Sequence, residues 1–340
     1  MKSVVYERYG GPEVLHVIER ADPTPGPGEV LVRVAFSGVN PTDWKSRQGS
    51  SSGQNQALPF PQQVPNQDGS GTVVAVGAGV EPARVGQRVW LWEAAYQRSE
   101  GSAQELLALP EGQAMPLAPG ASMELGASLA IPAMTAHRCL TVGEEGPPHL
   151  GPGTLSGRKV LVAGGAGAVG HAAIELALWS GAEVVTTVST ADKEELVRKA
   201  GARHVVNYRE QDAAAEIRHI FPDGVDQIVE VAPAANASLD QAVLAAHGAV
   251  ATYASDAPSM ALAIRPGMVV NARFQFILVY TEPEAAKRRA LEDVQRGLIA
   301  GVFRVGADGG LPLHRFSLEQ AGQAHAAVEA NIVGKVLIEI

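Results

Sequence analysis

KVLVAGGAGAVGHAAIELALWSGAEVVTTVST, residues 159 to 190, is the stretch whose reading decides the fold. An apolar run ends at Ala163, glycines follow at 164, 165, 167 and 170, and a helical pattern starts near Val169. A second apolar run closes on Thr187-Val188-Ser189-Thr190. A strand that feeds a helix through a tight glycine turn lets backbone amides approach a pyrophosphate, and the helix N-terminus favours its charge. The glycines read as G-x-G-x-x-G (165, 167, 170) or as G-x-x-G-x-x-G (164, 167, 170). Such a pattern alone also serves plain helix–strand packing, so its place between a strand and a helix carries the reading. The candidate dinucleotide contacts are Gly164, Gly167 and Gly170, with Ala168 and Val169 opening the helix.

The end of the second strand bears on which dinucleotide. An Asp or Glu there, roughly 20 residues after the glycines, takes the ribose 2′-hydroxyl of NAD. Here Ser189 and Thr190 stand at that point, with Lys193 just beyond. A cation and two hydroxyls suit a 2′-phosphate, which favours NADPH. The plainer reading is that the hydroxyls cap the next helix. Tyr208, in VVNYRE at the end of the third apolar run, can cover the same pocket.

Outward from this unit, apolar runs and Ala-rich helical patterns alternate through AVATYA at 249 to 254. That alternation predicts βαβ units on a doubly wound parallel sheet of Rossmann type. Residues 1 to about 128 have a different texture, short apolar runs such as EVLVRVAFSGV, GTVVAVG and RVWLW broken by Gly and Pro. They read as a β-rich domain. The tail carries a helical pattern from about Glu284 to Ala300, a capping-box pattern at Ser317-x-x-Gln320, and a closing strand, KVLIEI.

A chain of 340 residues exceeds what one core usually supports, so two domains are expected. Its net charge of −9, with no Lys/Arg run, argues against nucleic acid or an anionic membrane as a partner. Its one cysteine, Cys139, excludes an internal disulfide framework and any multi-cysteine metal site. The first residues lack a signal-peptide core and no segment has the roughly 20 apolar residues of a membrane span, so a soluble, cytoplasmic protein is expected.

Seven short stretches in order, YGGPEVL, SGVNPTDWK, VPNQDGSGTVVAVGAGV, IPAMTAHRCL, VLVAGGAGAVG, VVNYRE and GKVLIEI, give the chain its family resemblance. It resembles the zinc-independent quinone oxidoreductases, the zeta-crystallin-like branch of the medium-chain dehydrogenase/reductase superfamily. The resemblance implies a GroES-like domain over 1–128 and 280–340, completed by the C-terminal segment. It places an NADP(H)-binding Rossmann domain at 129–279 and the cofactor in the cleft between them. Asn40 matches the family's asparagine beside the nicotinamide, Lys193 and Tyr208 its 2′-phosphate contacts, and Lys335 a residue at the cleft. Several quinone reductases carry a tyrosine shortly after the asparagine, whereas this chain reads Asp43-Trp44-Lys45, more like members that reduce alkenals.

Zinc-dependent relatives use a cysteine and a Gly-His-Glu segment, and neither the cysteine nor the histidine is present; Gln67 falls roughly at the histidine. The expected chemistry is therefore metal-free hydride transfer from NADPH to a conjugated acceptor, with Asn40 and Lys45 as candidate catalytic donors to the developing oxyanion. Trp90, Trp92 and Tyr96 are candidates for the wall of an acceptor pocket, with core packing an equal explanation for Trp90. The acceptor is a quinone or, alternatively, an enone or alkenal; a non-catalytic NADPH-binding protein is the competing class. Finally, GMVVNARFQFILV at 267–279 reads as a strand with one covered face, and an edge strand of this kind suits pairing with a second copy. The resemblance likewise implies a homodimer.

Overall fold

The computed structural model describes residues 1–49, 57–144 and 146–340. They form two compact units, Met1–Ile131 with Leu313–Ile340, and Pro132–Pro312.

In the second unit, six strands form one parallel sheet. Their order is His204–Asn207, Glu183–Val188, Lys159–Val162, Val225–Glu230, Leu244–Thr252 and Arg273–Phe276. Chain order reverses at Lys159–Val162, which is the doubly wound arrangement expected from the alternating pattern. Helices such as Ala168–Trp179, Ala191–Lys199 and Ala213–Ile220 return the chain between strands. The core joins Leu161, Val185, Val206, Ile228 and Val250 of the sheet to Ile217 and Phe221. Strands buried on both faces read as unbroken apolar runs, and this is why the pattern was legible.

The first unit is a mainly antiparallel sheet around the long strand Glu29–Val39, flanked by Asp68–Val76, Leu106–Pro110 and Lys335–Glu339. The C-terminal strand thus completes this domain, as expected. Its two apolar clusters centre on Val32, Val89 and Leu107, and on Val4, Val39 and Val336.

Two expectations need correction. Residues 280–312 group with the second unit, not with the GroES-like one. The helix Glu284–Ile299 brings Asp293 into that unit, where its fully buried carboxylate accepts from Leu150 N at 2.6 Å and pairs with His137 at 2.7 Å. A buried acid with those partners cannot be detached without stranding its charge. The segment 267–279 is likewise not one strand. Its first residues belong to the short helix Ile264–Val269, Asn271 takes a left-handed φ of 49°, and only Arg273–Phe276 is extended. A left-handed Asn just past a helix end redirects the chain, a signal that the alternation of Val and Phe had masked. Among the described residues, no helix is long and apolar enough to cross a membrane.

Candidate functional site

In the second unit, the glycine turn joins Lys159–Val162 to the helix Ala168–Trp179, which Gly167 caps. Gly164 takes a left-handed φ of 65°, a conformation that glycine adopts without strain. A Cβ on Gly165 would lie 2.2 Å from Thr186 Oγ1, and one on Gly170 would lie 2.7 Å from Gly164 O. Those two glycines serve close packing of turn, helix and second strand. Gly167 differs, because an added Cβ would meet only Gly164 O at 3.6 Å. No protein neighbour crowds that exposed position at the helix start, so the turn leaves open the space a pyrophosphate takes. The residues present therefore fit a dinucleotide.

The second strand ends beside this turn, with Gly164 N donating to Thr187 Oγ1 at 3.3 Å. Beyond it the two hydroxyls divide their roles. Thr190 caps the helix Ala191–Lys199 by accepting from Lys193 N, as the plainer reading held. Buried Ser189 accepts from Lys193 Nζ at 3.0 Å. Tyr208 N donates to Val188 O at 3.1 Å, and the Tyr208 side chain is half exposed. Ser189, Lys193 and Tyr208 thus converge on one strand end, offering a cation, a hydroxyl and a phenol. Two acids lie in the same helical turn, but Glu194 is paired with Arg198 at 2.6 Å and Asp192 is exposed to solvent.

In the first unit, Asn40 follows the strand Glu29–Val39 and caps the helix Pro41–Gln48. Pro41 suits the first helical position, and Asp43 closes a reciprocal cap by accepting from Asn40 N at 2.7 Å. Sheet register assembles the rest. Gly38 lies opposite Asp68 on one side, and Val39 opposite Val336 on the other, so Asn40, Asp68 and Lys335 meet. Lys335 Nζ donates to Asn40 Oδ1 at 2.7 Å and to Asp68 Oδ2 at 3.2 Å, while Asn40 Nδ2 donates to Asp68 Oδ2 at 2.7 Å. Asp68 Oδ1 accepts from Ile131 N at 3.0 Å. All three side chains are buried, and a Cβ on Gly38 would press within 3.2 Å of the Lys335 stem.

Lys45 stands apart from this cluster. Its Nζ lies 5.6 Å from the centre of its neighbour's Trp44 ring. Trp90 is fully buried and Trp92 donates to Gly112 O at 2.8 Å, so both serve the core, whereas Tyr96 lines a cavity. The sequence reading missed Asp68 as the partner of Lys335, and it missed Asp43 as a cap despite the N-x-x-D spacing.

A zinc ion fits these residues poorly. Asn40 Oδ1 and Asp68 Oδ2 are taken by the Lys335 ammonium, and Gln67 Oε1 accepts from Ala95 N at 3.1 Å. Among the described residues, no three His, Cys, Asp or Glu side chains are placed to hold a metal. A tetrahedral N/S site needs a different set.

A GroES-like sheet followed by a dinucleotide-type parallel sheet is the architecture of alcohol-dehydrogenase-like proteins, and comparison with known proteins agrees. The alcohol dehydrogenase GroES-like domain matches residues 26–119 and the zinc-binding dehydrogenase domain residues 168–295. The quinone oxidoreductase of Rattus norvegicus is 28% identical over 344 residues, spanning 99% of this chain and 97% of its own. The rat synaptic vesicle membrane protein VAT-1 homolog is 31% identical over 256 residues, 74% of this chain but only 59% of that longer protein. Among solved structures, a mycobacterial protein complexed with NADPH (TM-score 0.80) and an NAD-dependent alcohol dehydrogenase (TM-score 0.85) are each 27% identical over the whole of both chains. The chain belongs to the medium-chain dehydrogenase/reductase superfamily and is quinone oxidoreductase-like.

Proposed function

We propose that this protein is a metal-independent oxidoreductase that uses NADPH to reduce quinones. The observation that carries the cofactor reading is the Lys193–Ser189 pair at the end of the second strand, where a carboxylate would repel a 2′-phosphate. The mycobacterial relative complexed with NADPH supports it, and the NAD-dependent relative makes the choice a point to test. When bound, the cofactor supplies a hydride from its nicotinamide. Gly164, Gly167, Ala168 and Val169 hold the pyrophosphate, Gly170 lets the helix pack against the turn, and Ser189, Lys193 and Tyr208 hold the 2′-phosphate. Asn40 and Lys335 orient the reacting end, with Asp68 fixing both, and Lys45 offers a further cation. Since the buried ammonium of Lys335 occupies the oxygens a metal would need, it is the local source of positive charge.

NADPH is expected to bind at least about tenfold tighter than NADH, roughly 1.4 kcal/mol, in a direct titration. Lys193→Ala should close most of that gap by weakening NADPH alone. Equal dissociation constants for the two nucleotides in the wild type would reject the assignment. The acceptor is read from NADPH consumption, in the presence of a chelator, across a panel of quinones, enones and alkenals. A second reading, reduction of activated C=C bonds, is favoured by Asp43-Trp44-Lys45; faster turnover of enals than of quinones would select it. Binding without turnover of any acceptor would select the non-catalytic class.

A homodimer is proposed from the sheet edge. Arg273–Phe276 is the terminal strand, and Ile264, Met268, Val269, Phe276 and Leu278 around it are each more than half exposed. Such an edge invites pairing with its own copy. Light scattering should give twice 35.4 kDa, and Phe276→Asp, at an exposed position, should yield monomer. A wild-type mass of one chain at micromolar concentration would refute the dimer.

A further inference from the structure

The first unit holds a cavity of about 170 Å³ that the cofactor assignments leave unused. Tyr6, Tyr9, Tyr96 and Pro59 contribute its walls, and Asp43 and Gln67 also line it. The tyrosines and proline can flank a flat ring, while Gln63, Asn66 and Gln67 offer polar groups to a ring's oxygens; about 150 Å³ suffices for a benzene-sized ring. Asp43 is one of the lining residues although it is only 4% exposed. It accepts from Asn40 N at 2.7 Å and from the backbone of Gln67, and among the described residues no cation forms an ion pair with it. A carboxyl held by two backbone amides, on a residue that lines a tyrosine-flanked cavity and has no ion pair among the described residues, is placed for proton transfer.

We propose that this cavity receives the acceptor, a single-ring quinone, and that Asp43 gives the reduced acceptor its proton. The inference rests on the NADPH-dependent reductase reading. Addition of the nicotinamide hydride to the quinone leaves the electron pair on an acceptor oxygen as a phenolate. The Asp43 O–H bond breaks, a hydroquinone O–H bond forms, and the carboxylate that remains is held by the amides of Asn40 and Gln67. Water returns the proton. Those amides keep the carboxylate from being stranded after the transfer.

The surroundings hold the proton on Asp43 beforehand. Burial pushes its carboxyl up to about 8, the Asp68 carboxylate adding to the rise, while the Asn40 and Gln67 amides and the Lys335 ammonium oppose it. Besides Asp68 on Asp68–Val76 and Lys335 on Lys335–Glu339, the titratable and charged groups around it are Arg47 on its own helix and Tyr6 and Tyr9 before it. Burial holds the Tyr6 phenol far above its ordinary range, so Tyr6 does not compete as the acid. A raised carboxyl is protonated near neutrality and loses its proton as pH passes through about 8.

The test compares wild type with Asp43→Asn. The infrared difference spectrum, wild type minus variant, of the cofactor-free proteins should show a protonated carboxyl at pH 7 that disappears as pH rises through about 8, the Asp240 carboxyl cancelling between them. With saturating NADPH and 1,4-benzoquinone, kcat of the variant should fall about 100-fold, and the alkaline decline of the wild-type profile should vanish. Because Asn can disturb the helix cap, a second variant leaves that carboxyl in place. Tyr96→Trp, which fills the cavity, should abolish calorimetric binding of hydroquinone to the cofactor-free protein while Asp43 keeps its infrared signal. A wild type lacking the infrared signal, a variant with the wild-type pH profile, or hydroquinone binding untouched by Tyr96→Trp would overturn the proposal. A wild type that consumes no NADPH with any acceptor removes instead the reading on which the proposal rests.

Discussion

Lys335→Met is expected to destabilise the first unit by about 3–5 kcal/mol, the loss typical of removing one partner from a buried ion pair. Methionine is close to lysine in length, so packing is largely kept and the charge is what disappears. The Asp68 carboxylate, fully buried, would retain donors from Asn40 Nδ2 and Ile131 N but no cation. Adding Asp68→Asn should recover part of the loss, since the two substitutions act on one interaction and their effects cannot add. Urea unfolding of the four proteins of this cycle measures it. A single-variant loss below about 1 kcal/mol, with additive effects, would show that the buried pair is energetically neutral here.

That cluster also marks how far the amino-acid order could be read. The glycine turn, the missing acid after the second strand and the alternating pattern are local signals within about 30 residues, set by φ preferences and by burial of both sheet faces. They located the parallel sheet and the candidate 2′-phosphate pocket directly. Asn40 and Lys335 were singled out through family resemblance, but Asp68, 28 residues from one and 267 from the other, joins them only through strand register. Nothing local encodes that meeting. The misreading of 267–279 has the opposite origin: its alternation of Val and Phe satisfied the strand rule, while Pro266 and Asn271 held the breaker signals that prevailed. Residues 280–312 were misplaced because the partners of Asp293, His137 and Leu150, lie more than 140 residues away.

The second large effect concerns a pair that no sequence signal announced. Glu230 ends the strand Val225–Glu230 and Asp240 lies on the helix Pro233–Val243, and both are buried. Their carboxyls share a hydrogen bond, which requires a proton between them. Glu230 also accepts from Ala232 N and from Asn236 Nδ2, whereas Asp240 has Glu230 as its partner. The donors favour charge on Glu230, so the proton resides on Asp240. Burial, then the adjacent Glu230 charge, hold Asp240 well above the ordinary carboxylate range. An acid whose folded pKa is raised contributes stability that is complete below the unfolded value, near 4, and is lost as pH rises through the folded value. Between pH 5 and pH 8, one unmatched proton is worth up to about 1.4 kcal/mol per pH unit, or about 4 kcal/mol in all. Asp240→Asn replaces the protonated acid with an amide that donates to Glu230 at every pH. The variant should therefore match wild type near pH 4 and exceed it increasingly toward pH 8, the difference curve isolating this pair from acids such as Asp293 that are shifted downward. Denaturation midpoints measured across that range decide the matter: a variant that is less stable by the same amount at every pH would mean that Asp240 is ionised in the folded protein and that Glu230 carries the proton.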